Sequence, residues 1–244
     1  MDFLWILAAL SAGFVKGLSG FANTLAFTSV MSFGAANVNI SPVDLMLSYP
    51  ANAIVTIKER RSIMWRVVLP LTAIVVVGCI PGMLLLKNAD TTLIKLCFGI
   101  VTVLIAIDLL LREIRRSNKR MSPVGGGLLA VLSGVLCGLY GVGALLGAYI
   151  SREAKDTSEF RGSFSFIFAV ENTVRTVIYS VLGILTLDTL LRGASLIPFM
   201  LLGLLVGTLI SKRVPPRVAK LFVIILLIFS GLSLAIGAIG GLIN

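Results

Sequence analysis

Lys16-Gly17-Leu18-Ser19-Gly20-Phe21-Ala22 and Cys137-Gly138-Leu139-Tyr140-Gly141-Val142-Gly143 share the spacing Gly-Leu-x-Gly, 121 residues apart in a chain of 244. Each stretch interrupts an apolar run that otherwise reads as one long membrane helix. Glycine relaxes the backbone restrictions that keep a helix regular, so both stretches are expected to break it. Paired, Gly-broken hydrophobic segments at matching places in two halves of a membrane protein point to a binding site between the halves. Lys16 stands just before the first break, and a charge at membrane depth is costly unless it has a partner or a task.

The rest of the chain fits that setting. It is 57% hydrophobic and only 13% charged, with a mean hydropathy of +1.04. Apolar runs of roughly 20 residues recur from end to end, the mark of a polytopic membrane protein. The run from Phe3 lacks a basic leading region and a cleavage site, so it reads as mature sequence. The formal charge of +10 sits in short loops between apolar runs, which favours the membrane surface over nucleic acid as the partner. Cys79, Cys97 and Cys137 lie in apolar segments without CxxC spacing, and the chain has no His. Neither a disulfide framework nor a His-based metal site is expected, and no cofactor is called for.

Backbone polar groups in lipid must be satisfied within their own segment, so the apolar runs are helices. They cover 3–33, 42–58, 66–86, 92–111, 123–151, 162–184, 193–211 and 217–240. Ser41-Pro42 with Asp44 reads as a helix start: an N-cap, a proline in the first turn and an early acid. The polar stretch 112–122 divides the chain into repeats at 1–111 and 123–244. Further pairs extend the repeat. Asn52 matches Asn172 at an offset of 120, and Gly78-x-x-x-Gly82 matches Gly203-x-x-x-Gly207 at 125. Lys87 and Lys95 match Lys212 and Lys220, again at 125.

Loop charges separate two topologies. Eight full spans place ten Lys and Arg on one side and nine on the other, which sets no orientation. If the first and fifth segments are instead hairpins that turn at their glycines, sixteen fall on one side and three on the other, with Lys16 and Arg175 inside the membrane. The positive-inside bias prefers this arrangement. Each half is then a re-entrant hairpin plus three transmembrane helices, and an odd number of spans inverts the second half relative to the first. The 14 residues before Gly17 make about 21 Å of helix, past the middle of a ~30 Å hydrocarbon core without crossing it. A single kinked helix is the alternative reading of each glycine break. The fold class is thus an all-α polytopic membrane protein of two inverted repeats, with both termini periplasmic.

The two glycine motifs, each near the start of a half with a basic linker between, resemble the TauE/SafE sulfite-exporter family over nearly the whole chain. Arg161, followed by Asn172 and Arg175, also looks like that family's second half. The resemblance implies a carrier of sulfite, sulfonates or related organosulfur anions in the bacterial inner membrane, often working outward and coupled to ions. Phe21-Ala22-Asn23 and Ala144 depart from a family pattern richer in glycine.

Read by its chemistry, the site gathers Lys16 and Arg175 as counter-charges for an anion. Gly17, Gly20, Gly138, Gly141 and Gly143 can expose backbone N–H groups at the starts of the outgoing half-helices, where the helix dipole favours anions. Ser19, Asn23, Thr24, Tyr140, Asn52 and Asn172 add side-chain donors. The bland reading of the glycines is close helix packing. Glu171 and Arg175 are spaced i,i+4, so they form either a structural ion pair or a working one in which Glu171 carries a coupling proton. Asp108 with Arg112 reads as a surface pair. The residue chemistry predicts a membrane transporter of a small anion working by alternating access, not an enzyme, and the resemblance implies that the anion contains sulfur and moves more outward than inward. A channel or an importer for another small anion is the runner-up, and an intramembrane enzyme comes third. The expected partners are the anion and the lipid bilayer, with a homodimer among the open oligomeric states.

Overall fold

The computed structural model describes residues 3–31, 37–88, 123–140 and 143–211, with isolated positions between 92 and 111 and between 213 and 238. The segments expected at 92–111 and 217–240 fall mostly outside the described residues, as does the linker 112–122. The described elements are all helical: α1 (Phe3–Ser19), α2 (Asn23–Met31), α3 (Asn37–Lys58), α4 (Trp65–Asn88), α5 (Pro123–Tyr140), α6 (Ala144–Glu153), α7 (Thr157–Val181) and α8 (Leu187–Ser211), with a short 3-10 turn at Arg60–Ser62. Trp65–Leu84 and Leu187–Ser211 are long and apolar enough to cross a membrane.

The first glycine stretch breaks its helix by an identifiable local mechanism. Gly20 lies in the left-handed region at φ +86°, and its N–H donates to the Lys16 carbonyl at 2.7 Å, closing α1 with a left-handed cap. The Ser19 hydroxyl donates to the Val15 carbonyl at 2.7 Å and accepts the Phe21 N–H at 3.3 Å. Ala22 is also left-handed, at φ +66°, a conformation that costs a residue with a Cβ about 1–2 kcal/mol. The chain turns back, and α2 packs on α1. At the second stretch α5 ends at Tyr140, and α6 starts at Ala144 and packs on α5.

Glycines elsewhere bring helices to backbone contact. A Cβ on Gly17 would meet the Leu204 carbonyl oxygen and the Thr208 nitrogen, and one on Gly207 would meet the Phe14 carbonyl oxygen. α1 therefore lies directly on α8. The same holds for α5 on α4, where a Cβ on Gly138 would meet the Cys79 carbonyl oxygen and one on Gly78 would sit 2.9 Å from the Val131 oxygen. These pairings are reciprocal. The long arm of each broken segment packs on a helix of the opposite half, while α3 packs on α7 between them.

Three starts differ from the sequence reading, those of α3, α7 and α8, the last of which begins at Leu187 and not at 193. α3 begins at Asn37, so Ser41, Pro42 and Asp44 lie inside the helix and not at its cap. Asp44 is 1% exposed, and the next subsection gives the reason. α7 begins at Thr157, because the Asp156 side chain accepts the Glu159 N–H at 2.8 Å and the Glu159 carboxylate accepts the Lys155 N–H at 2.8 Å. This reciprocal cap starts the helix before its apolar run does.

Candidate functional site

α3 carries a polar stripe, Ser41, Asp44, Ser48 and Asn52, spaced three and four residues apart and therefore on one face. All four are buried. The turn at Gly20–Ala22 points the N-terminus of α2 at this stripe. Asn23 Nδ2 donates to Ser48 Oγ at 2.6 Å, and the Thr24 hydroxyl donates to Asp44 Oδ2 at 2.8 Å. Ser48 Oγ donates to Asp44 Oδ1 at 3.3 Å. Asp44 is thus the acceptor that ties α2 to α3.

Lys16 sits behind this layer. Its Nζ donates to Asn52 Oδ1 at 2.5 Å and to Asn23 Oδ1 at 3.5 Å, at 1% exposure. The ammonium engages the carbonyl ends of both amides, which fixes their orientation.

α7 supplies the opposite wall. Arg175 Nη1 donates to the Cys137 carbonyl at 3.1 Å, at the C-terminal turn of α5. The guanidinium also stands 3.7 Å from Glu171 Oε1 and 3.9 Å from Asp44 Oδ2 and lies over the Tyr179 ring, 5.7 Å from its centre. The Tyr179 hydroxyl pairs with Ser41 Oγ at 2.9 Å. Arg161, fourteen residues earlier on α7, plays the matching part for α1, where its Nη2 donates to the Gly17 and Leu18 carbonyls at 2.9 and 3.2 Å. Each broken segment therefore ends with its orphan carbonyls held by an arginine of one helix, a favourable cation at a negative dipole end.

Between these walls lies a small cavity of about 10 Å³, room for roughly one water. α2 reaches it with Ala22 through Leu25, α3 with Ser48 and Asn52, and α7 with Phe164, Phe168, Asn172 and Arg175, with Gly143 beside them. Helical bonding in α2 begins with the Ala26 N–H on the Ala22 carbonyl at 3.1 Å, so the N–H groups of Asn23 and Thr24 have no intrahelical acceptor. Gly143 caps α6 without a side chain, and a Cβ there would strike the Phe168 ring. The Asn172 amide is 1% exposed, and neither its oxygen nor its nitrogen has a hydrogen-bond partner among the described residues. An unpaired buried amide costs about 1–3 kcal/mol. Phe164 stacks on Phe168 at 4.6 Å and continues to Phe160 and Phe21 at 5.8 Å each, an aromatic wall leading away from the polar side.

The structure brings together Asn23, Asn52, Gly143, Asn172 and Arg175 around the cavity, with Lys16 and Glu171 directly behind it. Gly17 and Gly138 lie at helix–helix contacts, Ser19 closes the turn, and Gly20 abuts the Arg161 side chain. The Tyr140 side chain and Gly141 lie outside the described residues. Asp44, Ser48, Phe164 and Phe168 went unread as site residues, although the helical spacing of the α3 stripe is a signal that finds the first two. Among the described residues, no group of three His, Cys, Asp or Glu gathers as a metal site.

A family model described as Sulfite exporter TauE/SafE matches residues 5–234. No curated protein and no solved structure matches the chain.

Proposed function

The chain belongs to the sulfite exporter TauE/SafE family, whose members are membrane transporters of sulfur anions such as sulfite, and we propose that the cavity between α2, α3 and α7 is where it holds its anion. The observation that carries this is the unpartnered, buried Asn172 amide facing the same small space as the N-terminus of α2 and Arg175. A sulfur oxyanion presents several acceptor oxygens, and helix N-termini, amide N–H groups and guanidinium are their natural donors. Lys16 acts through Asn23 and Asn52 and adds a positive field from behind.

The polar wall and the Phe164–Phe168 wall favour a sulfonate with a short organic tail alongside sulfite itself. With room for about one water, the cavity has to widen to admit either, as alternating access requires. Two inverted repeats, 1–111 and 123–244, joined by a cytoplasmic linker at 112–122 in the inner membrane, supply that motion. The reciprocal packing of α1 on α8 and of α5 on α4 supports this symmetry. Export is the direction proposed, with a proton on Glu171 as the coupling ion. The test is a thermal-shift and binding screen of purified protein against sulfite, sulfate, thiosulfate and short sulfonates. Saturable stabilisation by sulfite or a sulfonate, lost in Asn172→Asp, supports the site. No response to any of them overturns it.

A further inference from the structure

The buried charged side chains among the described residues are Lys16, Asp44, Glu171 and Arg175, two cations and two acids. They form one connected set. Lys16 bridges to Asn23, whose amide shares Ser48 with Asp44, and Asp44 and Glu171 flank Arg175 at 3.9 and 3.7 Å. With all four ionised the set is neutral, so Arg175 is already matched and carries no spare positive charge for an incoming anion. A monoanion added to this buried space leaves one uncompensated negative charge, a state the membrane interior strongly disfavours.

The two acids are not equivalent. Asp44 accepts hydroxyl bonds from Thr24 at 2.8 Å and Ser48 at 3.3 Å, which hold its ionised form. Both Glu171 oxygens lack a hydrogen-bond partner among the described residues, and its one close charge is Arg175 at 3.7 Å. An anion that engages Arg175 competes with Glu171 for that same guanidinium. A metal cation shared by the two acids would sit against Arg175, which lies between them, whereas a proton neutralises one acid without needing that space.

We infer that the anion and one proton occupy the protein together, the proton on Glu171 and Asp44 remaining the fixed counter-ion of Arg175. Carrier and cargo are then neutral as a unit, and the proton travels in the same direction as the anion. Net direction follows the sum of the two gradients: export proceeds while the internal anion concentration outweighs an opposing pH gradient. Among the described residues, the other titratable groups facing Glu171 are Cys79 of α4, Cys137 of α5 and Tyr179 of α7. α6 brings Tyr149 and Glu153, which interact with each other. The 60–62 turn meets α7 near Gly162, more than two helical turns from Glu171.

This inference rests on the cavity being the substrate site, and the experiment separates the two. Methanesulfonate is the probe, because a sulfonate stays ionised and cannot itself carry the proton. Calorimetric titration of the wild-type protein in two buffers of different ionisation heat counts the protons taken up. About one proton per anion is expected, with affinity falling about tenfold per pH unit once Glu171 ionises in the empty protein. Exchanging sodium for potassium should leave affinity unchanged. Glu171→Gln should bind methanesulfonate with an affinity independent of pH and without proton uptake. Binding by the wild type with no proton uptake overturns the co-binding and leaves the cavity reading intact. Uptake that persists in Glu171→Gln overturns the assignment to Glu171. No binding of methanesulfonate or sulfite at all overturns the cavity reading and this inference with it. The wild-type measurement decides the stoichiometry even if the variant fails to fold.

Discussion

At the scale of single residues, the site separates groups that touch the cavity from groups that aim them. Lys16 is of the second kind: it holds the oxygen ends of Asn23 and Asn52 and does not itself line the space. Lys16→Met strands those oxygens and leaves the buried charges with a net negative sum. We expect methanesulfonate affinity to fall by a factor of tens or more, the usual consequence of ~2–5 kcal/mol lost with one buried partner. Arg116→Met, in the basic linker, should change it little. Titration calorimetry of both variants checks this. Asn172 makes the opposite trade. Its amide is buried without a partner, so Asn172→Leu should raise the melting temperature of the empty protein by removing unsatisfied groups while weakening anion binding. A variant both less stable and fully able to bind would show that Asn172 is a packing residue.

At the scale of elements, the glycines of the two broken segments do different jobs, and the difference is measurable. Gly17 and Gly138 let α1 and α5 lie against the backbones of α8 and α4, which no side-chain motion can relieve. Gly20 serves the turn at φ +86°, where an added Cβ meets the Arg161 side chain, which can move. Gly20→Ala should therefore cost about 1–2 kcal/mol of left-handed strain. Gly17→Ala and Gly138→Ala should cost more and lower the yield of folded protein. Thermal unfolding in detergent ranks the three variants. Equal losses at all three positions would mean that helix contact does not set the role of Gly17 and Gly138. The arginines of α7 belong to this scale too. Arg161 and Arg175 hold the carbonyl ends of α1 and α5, so α7 is the element on which both broken segments depend.

At the scale of the whole molecule, the proposed topology predicts which side of the membrane each loop faces. If each half is a re-entrant hairpin followed by three spans, residues 58–66, 112–120, 152–161 and 212–220 face one side, the cytoplasm. Single cysteines placed in these loops of a cysteine-free protein should then react with an impermeant reagent only in inverted membranes. Labelling of a cysteine in 152–161 from the periplasmic side, while 112–120 stays protected, would favour eight full spans and defeat the hairpin topology.

The sequence by itself determined the helical membrane class and the two helix breaks. Those depend on local properties: apolar run length and glycine freedom. It also marked Asn23, Asn52, Asn172 and Arg175, because polar groups inside apolar helices stand out one by one, and Gly143 through the repeated glycine motif. Only the tertiary structure decided that Asp44 is a buried partner of Arg175 and not a first-turn acid, since the choice depends on α3 beginning at Asn37 and on α2 folding back to offer the Thr24 hydroxyl. It likewise decided that Lys16 reaches the cavity through two asparagines, and that Gly17 and Gly138 face neighbouring helices. Spacing along a helix tells which residues share a face. Which neighbour that face meets depends on contacts between different helices, from 20 residues apart for Thr24 and Asp44 to 144 for Gly17 and Arg161, and these no local pattern records.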